Sequence, residues 1–478
     1  MIPVTNVLYA SDGWVGVQIL SFLVLSHLDA MHAVHIHEKF RNRVGRLSPL
    51  SHIPVAICLL TILLGAAYAP AYSVLTHEEL IDLAWNGSIR PLLLGRFPGA
   101  TEDQLREAHA YAYGGCAIQD MGYYPFGKQF FSNLTHYVRT GDFIAWLFQN
   151  AQTIDEYAFA IGALSHYLGD SIGHSEAVNP ATAVEFPKLR DKYGRAVTYG
   201  ESPHGHIRTE FAFDIDEISN GEFGPPSYLR FIGFKVPRKF LESAFANTYG
   251  FDIHELLGRA HPALRSYRTS VRSFIPAFAE AEVVLHRHQF PPHPDDEAYR
   301  IFAERVARTN YERNWRHTCR GPGIKAHFLA VLVFIIPKVG AASDLAIKIP
   351  KPDTEEWYLR SVNLTVDDFR GILDKLRTNG NAPVTLANLD LDTGGRTKLG
   401  AYRLADETYA QLLARITSKR GRVIPDGLRQ NIVAYYGGND ATALTPQENA
   451  QLKVLSEMKS TEALSRKGDA AAVEIEEH

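Results

Sequence analysis

One segment, "TIDEYAFAIGALSHYLGD" from Thr153 to Asp170, restricts the fold more than any other part of the chain. Its first residues contain Thr153 and Glu156 in the capping-box pattern that begins a helix. The apolar positions then recur at helical spacing, at Ile154, Tyr157, Ala158, Ile161 and Leu168, with Ser165 among them. A second face carries Phe159 and Ala163. Because a helix that is apolar on more than one side is usually buried, we expect it at the centre of a mainly α domain.

The end of this helix carries three residues that commonly bind metals. In "HYLGDSIGH", His166, Asp170 and His174 are spaced four residues apart, so they project from one side of a helix. An ionised aspartate beside two imidazoles in an apolar environment is costly unless the groups are paired or bound to a metal. The trio alone therefore leaves two interpretations open, a hydrogen-bonded polar cluster or a metal site.

Other segments add residues of the same kinds. "SPHGHIRTEFAFD" contains a histidine and a glutamate four residues apart, and three further segments contain single candidates. These additional residues are His77, Asp120, His136, His206 and Glu210. An isolated histidine is more often structural or solvated than a ligand. The combined set of five histidines, two aspartates and one glutamate, however, is a mixture of nitrogen and oxygen ligands that suits zinc.

The remainder of the chain also has mainly helical patterns, for example in "TEDQLREAHAYAYGGCAIQD", "PRKFLESAFANTYG" and "ETYAQLLARI". The stretch from Ala346 to Asp353, "AIKIPKPD", contains two prolines and cannot continue a helix. We therefore predict a catalytic domain over residues 72–345 and a largely helical C-terminal extension over 346–478. In that extension "NLDLDTGGRTKLG" is expected to form a loop or short hairpin.

Residues 1–71 have a different character. Arginines in "RNRVGRLSPLSH" precede the apolar run "IPVAICLLTILLGAAYA" and then small residues. This order is typical of an export signal, so we predict an upstream segment and signal peptide over 1–71, with Tyr72 as the new N-terminus. Such a protein would be periplasmic or secreted. A membrane anchor formed by the same segment is the alternative.

The candidate ligands carry a resemblance to a known family. Their order and types resemble the secreted zinc-dependent phospholipase C family, whose helical fold is shared with zinc-dependent single-strand nucleases. The most specific piece is "HYLGD", followed by a further histidine, and "HIRTEF" is similar to the family's pattern of histidine, three residues and glutamate. The nucleases usually have aspartate where Glu210 stands, which favours the phospholipase branch.

The resemblance implies up to three zinc ions and assigns a set of ligand residues to each ion. The first ion would be held by Asp120, His136, His166 and Asp170. The second would be held by His174, His206 and Glu210. The third would take the free amine and carbonyl of Tyr72, together with His77 and the second oxygen of Asp170. Asp120 is also the best candidate for the residue that accepts a proton from the attacking water.

Several functional alternatives stay open at this point. The expected reaction is hydrolysis of phospholipid head groups, with peripheral membrane contact through apolar stretches such as Phe328–Ile336. A buried core helix is the favoured interpretation of that stretch, and an interfacial patch is the alternative. A single-strand nuclease or nucleotidase of the same fold is the second candidate, and a non-catalytic zinc-stabilised lipid-binding protein is the third. The net charge of −4 argues against a protein that coats duplex nucleic acid, and the sequence implies no protein partner.

Overall fold

The computed structural model describes residues 73–309 and 348–461, together with 473–474. Short gaps within these ranges lie at 225, 287–288, 290–291, 294, 381–383, 420 and 438–443. Tyr72, the predicted signal segment and the apolar run Phe328–Ile336 therefore lie outside the described residues. Among the described helices, none is both long and apolar enough to cross a membrane.

The described part of the chain is mainly α, as predicted. The α-helices in chain order are α1 (Val74–Ala84), α2 (Arg90–Arg96), α3 (Glu102–Cys116), α4 (Gln129–Tyr137), α5 (Thr140–Asn150), α6 (Ile154–Gly173), α7 (Asn179–Glu185), α8 (Pro187–Tyr193), α9 (Pro203–Asn220), α10 (Pro226–Ile232), α11 (Arg238–Tyr249), α12 (Ile253–Leu257), α13 (Ala260–Thr269), α14 (Ile275–His286), α15 (Glu297–Thr309), α16 (Pro352–Asn379), α17 (Arg403–Thr417), α18 (Asp426–Tyr436) and α19 (Pro446–Glu457). Short π-helical segments span Trp85–Ile89, His174–Val178 and Ser270–Phe274, and a 3-10 helix spans Ile118–Tyr123.

The strands are only two residues long. β1 (Val384–Thr385) pairs in parallel with β4 (Val473–Glu474), and β2 (Ile424–Pro425) pairs in parallel with β3 (Ser460–Thr461). The segment predicted as a loop or hairpin forms a turn closed by an antiparallel bridge between Leu389 and Arg396.

Helix α6 begins with the predicted capping box and occupies the core. The Thr153 hydroxyl accepts a hydrogen bond from the Glu156 backbone amide at 3.2 Å, and a Glu156 carboxylate oxygen accepts one from the Thr153 amide at 3.2 Å. Almost every residue of α6 after the first turn is buried. The expectation of a central, buried helix is therefore confirmed.

The crossing of α3 and α6 depends on glycine. A Cβ atom at Gly162 would lie 2.0 Å from the Ala112 carbonyl oxygen, and one at Gly115 would lie 2.2 Å from the Phe159 carbonyl oxygen. Side chains at these two positions would separate the helices. The short distance between the backbones brings the end of α3, and the 3-10 helix that follows it, next to α6.

Helix α16 packs against α6 and α1, although it lies beyond the predicted domain boundary. Its Tyr358 ring stacks on Phe213 of α9 with a centroid separation of 4.5 Å, and the Tyr358 hydroxyl lies 2.7 Å from the Thr76 hydroxyl of α1. The predicted domain limits remain a prediction, but the first helix of the C-terminal extension contributes directly to the environment of α1.

Candidate metal centre

Asp170 lies at the meeting point of three histidines. One of its carboxylate oxygens, Oδ1, is 3.2 Å from His77 Nε2. The other, Oδ2, is 3.2 Å from His136 Nε2 and 3.0 Å from His166 Nε2. These side chains come from α1, α4 and α6, and none is more than 2% exposed. Helical spacing predicted that Asp170 and His166 share a face, and packing brings His77 and His136 to the same point.

Asp120 completes this first group from the 3-10 helix. Its Oδ1 atom is 3.4 Å from His136 Nε2 and 4.0 Å from His166 Nε2. The two histidine Nε2 atoms are themselves 3.4 Å apart. Ligand atoms about 2.1 Å from a tetrahedral zinc ion are separated by about 3.4 Å, so these distances are consistent with shared coordination.

A second group of candidate ligands lies at the start of the π-helical segment His174–Val178 and on α9. Glu210 Oε1 is 3.3 Å from His174 Nε2 and 2.8 Å from His206 Nε2. The centroids of the two histidine rings are 4.8 Å apart. The pattern of histidine, three residues and glutamate in "HIRTEF" therefore does direct both side chains toward one point, where His174 meets them.

The outer nitrogens of three histidines are held by backbone carbonyls. His136 Nδ1 bonds to the Ser132 carbonyl at 2.7 Å, and His166 Nδ1 bonds to the Cys116 carbonyl at 3.0 Å. His174 Nδ1 bonds to the Leu391 carbonyl at 2.9 Å. Each carbonyl accepts a hydrogen bond from Nδ1, and the bond directs Nε2 into the cluster. This is the arrangement that orients histidine ligands in metal proteins.

Besides the distances, the lack of hydrogen-bond donors to the buried carboxylates also fits a metal centre. Both carboxylate oxygens of Asp120, Asp170 and Glu210 are buried, and among the described residues none of them has a hydrogen-bond donor with acceptable geometry. Buried carboxylates normally accept hydrogen bonds or bind cations. The groups His77–His166–Asp170, Asp120–His136–His166 and His174–His206–Glu210 could each hold a metal ion.

Burial and the neighbouring ligands shift the pKa values of the cluster residues in different directions. Burial alone would lower the pKa of His136, but Asp120 and Asp170 hold it well above its usual value. Burial and the neighbouring His166 lower the pKa of His77, and burial lowers the pKa of His206, so both imidazoles stay neutral. Burial alone would raise the pKa of Asp170, but His166 and His174 hold it well below its usual value. Burial raises the pKa of Glu210 to about 8, a cost that a nearby cation would remove.

A glycine allows His77 to approach α6. A Cβ atom at Gly169 would lie 3.2 Å from both Nδ1 and Cε1 of His77 and 3.1 Å from Leu80 Cδ1. The glycine in "HYLGD" thus makes room for a histidine on another helix. The sequence signal is the glycine inside a strong helical pattern, but its partner on α1 could not be read from the sequence.

Asp214 on α9 holds the start of α1. Its carboxylate accepts hydrogen bonds from the backbone amides of Leu75 and Thr76, both at 3.1 Å, and from the Thr76 hydroxyl at 2.6 Å. These bonds fix the residues immediately before His77. By contrast, His204, two residues before His206, is exposed.

The sequence reasoning missed the contribution of the C-terminal extension. Besides the Leu391 carbonyl, Asp392 approaches the site, with Oδ1 3.8 Å from His174 Nδ1. Asp392 Oδ2 accepts hydrogen bonds from Tyr137 at 2.9 Å and from Tyr402 at 2.5 Å. The acidic "NLDLDTGG" loop was a visible signal, but its contact with His174, 217 residues away in the sequence, was not.

The comparisons with known proteins agree with this geometry. Residues 76–255 match the model of the zinc-dependent phospholipase C family. This part of the chain is similar to the zinc-dependent phospholipase C family, and it contains every predicted ligand except Tyr72. No curated protein and no solved structure matches the chain. The family match and the grouped ligands together support a zinc phosphodiesterase. The individual ligand assignments remain predictions.

Proposed function

We propose that the protein is a phospholipase C that hydrolyses the phosphodiester of phospholipid head groups. The observation that carries the proposal is the convergence of buried histidine Nε2 atoms and unsatisfied carboxylate oxygens within the segment that matches the family. Closed structural zinc sites are usually rich in cysteine, whereas Cys116 is the only cysteine among the described residues and is not one of the grouped ligands. This ligand chemistry favours catalysis over a purely stabilising metal.

The ligand assignment follows the three groups of side chains. Asp120, His136, His166 and Asp170 would hold one zinc ion, and His174, His206 and Glu210 would hold a second. A third would bind His77 and Asp170 together with the amine and carbonyl of Tyr72. Zinc, when bound, supplies a Lewis acid that polarises a phosphoryl oxygen and lowers the pKa of water.

The protein side chains have separate tasks in this proposal. Asp170 contacts His77, His136 and His166, so it links the ligands of the first and third ions. Asp120 is the candidate proton acceptor, since its two buried oxygens have no hydrogen-bond donor among the described residues. The carbonyls that bond to Nδ1 of His136, His166 and His174 keep the ligand nitrogens directed inward. Burial of all these side chains excludes bulk water and strengthens their electrostatic effects.

The substrate, partner and location belong to the same proposal. The substrate is a phospholipid presented at a membrane surface, and the contact with that surface is peripheral. The protein is exported with cleavage of the signal before Tyr72. This cleavage frees the Tyr72 amine, which the third ion requires. Single-stranded nucleic acid is the substrate under the alternative function.

The test compares two buried histidines that each face a carboxylate. His206 Nε2 lies 2.8 Å from Glu210 in the centre, and His109 Nε2 lies 2.9 Å from Asp82 outside it. Purified mature protein should release phosphorylated head groups from phosphatidylcholine vesicles, lose this activity in a chelator and regain it with zinc. We expect His206→Gln to abolish turnover and His109→Gln to retain it. Zinc-dependent cleavage of single-stranded DNA without lipid turnover would favour the nuclease, and zinc binding without either activity would favour the lipid-binding alternative.

The N-terminal amine requires its own experiment. Chain that begins at Tyr72 is compared with chain that carries one extra residue, Ala71. The extension replaces an amine by an amide nitrogen without a basic lone pair, so we expect lower zinc content and lower phospholipid turnover. His77→Ala should have a similar effect, while the metals bound by the other two groups persist. Equal zinc content and equal rates in the two chain lengths would contradict the role of the amine.

A further inference from the structure

A second group of metal-binding side chains lies outside the candidate centre. Asp216, His293 and Glu355 each place one potential ligand atom within 4.8 Å of the others. Two ligands on opposite sides of a cation at 2.0–2.6 Å are separated by about 4–5 Å, so one ion can reach all three. Glu217 joins the group, with Oε2 3.4 Å from His293 Nε2.

The side chains of this group are buried and incompletely satisfied. Those of Glu217, His293 and Glu355 are between 1% and 3% exposed, and Asp216 is 2% exposed. Both carboxylate oxygens of Glu217, and Nε2 of His293, have no hydrogen-bond partner among the described residues. His293 Nδ1 does have a partner, because it hydrogen-bonds to Glu355 Oε1. These unsatisfied atoms face each other, as ligands around an ion do.

The group has an excess of negative charge. Three buried carboxylates surround one imidazole, and no lysine or arginine of the described residues forms an ion pair with any of the three. Even a protonated His293 would leave a net charge of about −2, and burial of uncompensated charge is strongly unfavourable.

The ligands also come from separate parts of the chain. Asp216 and Glu217 lie near the end of α9, His293 lies between α14 and α15, and Glu355 lies in the first turn of α16. Glu217 is seven residues after Glu210 on the same helix, a displacement of about 10 Å along the axis. The group is therefore separate from the candidate zinc centre, and an ion within it would join three segments.

We propose that Asp216, Glu217, His293 and Glu355 form a structural site for a divalent transition-metal ion that fixes α16 to α9. One imidazole with three carboxylates is an oxygen-rich ligand set without cysteine, so it suits Mn²⁺ best and Zn²⁺ second. The site is independent of the proposed hydrolytic function, because none of its residues belongs to the candidate centre.

The experiment measures metal content and thermal stability rather than activity. Purified protein is stripped with a chelator, reloaded with Zn²⁺ or with Mn²⁺, dialysed and analysed for metal per chain. Glu217→Gln, which keeps the shape of the side chain, and His293→Gln are compared with the wild type and with His109→Gln. His109→Gln controls for the loss of a buried histidine beside a carboxylate.

We expect Glu217→Gln and His293→Gln to retain one metal ion fewer per chain than the wild type, while His109→Gln retains the full number. The rise in melting temperature on metal addition should be smaller in the same two variants. If Glu217→Gln, the milder of the two, retains as much metal as the wild type and gains as much stability from it, the group is a metal-free histidine–carboxylate cluster and the proposal is wrong. Phospholipid turnover that survives in Glu217→Gln would separate this result from any failure of the proposed function.

Discussion

Replacing Gly169 by alanine tests whether His77 lies against the central helix. A glycine-to-alanine change inside a helix usually stabilises it by about 1 kcal/mol. At Gly169 the added methyl group would lie 3.1 Å from Leu80 Cδ1 and 3.2 Å from ring atoms of His77, which is closer than ordinary van der Waals contact. Overpacking of a core usually costs about 1–3 kcal/mol. We therefore expect Gly169→Ala to range from neutral to about 2 kcal/mol less stable than the wild type.

The chain offers a matched control in α16. Gly371 is exposed within that helix, and a Cβ atom there would have no neighbour within 4 Å. Gly371→Ala should therefore be stabilised by about 1 kcal/mol, which leaves a difference of about 1–3 kcal/mol between the two variants. Urea unfolding measures this difference, and metal analysis of the same samples should show weaker zinc retention only in Gly169→Ala. If both variants gain the same stability and retain the same zinc, His77 does not occupy the position described.

Two further predictions concern the support of the site and the start of the central helix. Asp392→Asn should reduce metal affinity by about 10–100-fold, because its carboxylate accepts hydrogen bonds from Tyr137 and Tyr402 beside His174. Chelator competition measures this affinity, and a wild-type value in the variant would contradict the role of Asp392. Thr153→Ala should lower the free energy of unfolding by about 1 kcal/mol, since it removes the observed capping box, and an unchanged urea midpoint would show that the cap contributes nothing.

The sequence determined the helices and the local geometry within them. The capping box at Thr153 and Glu156, the apolar faces of α6 and the four-residue spacing of His166 and Asp170 are properties of a single helix. They could therefore be read directly from the order of residues. The same holds for His206 and Glu210 on α9. Motif resemblance extended these local observations to Asp120 and His136, which spacing alone could not have connected to α6.

Tertiary structure decided everything that depends on contacts between distant segments. The approach of His77 to Gly169, the Leu391 carbonyl that orients His174, and the meeting of His293 with Glu355 each join helices or loops far apart in the chain. No periodicity encodes such pairs, because a side chain's partner depends on how helices cross, and crossing depends on packing over the whole core. The sequence thus determined which residues could act as ligands, whereas the packing determined which of them meet around a common point.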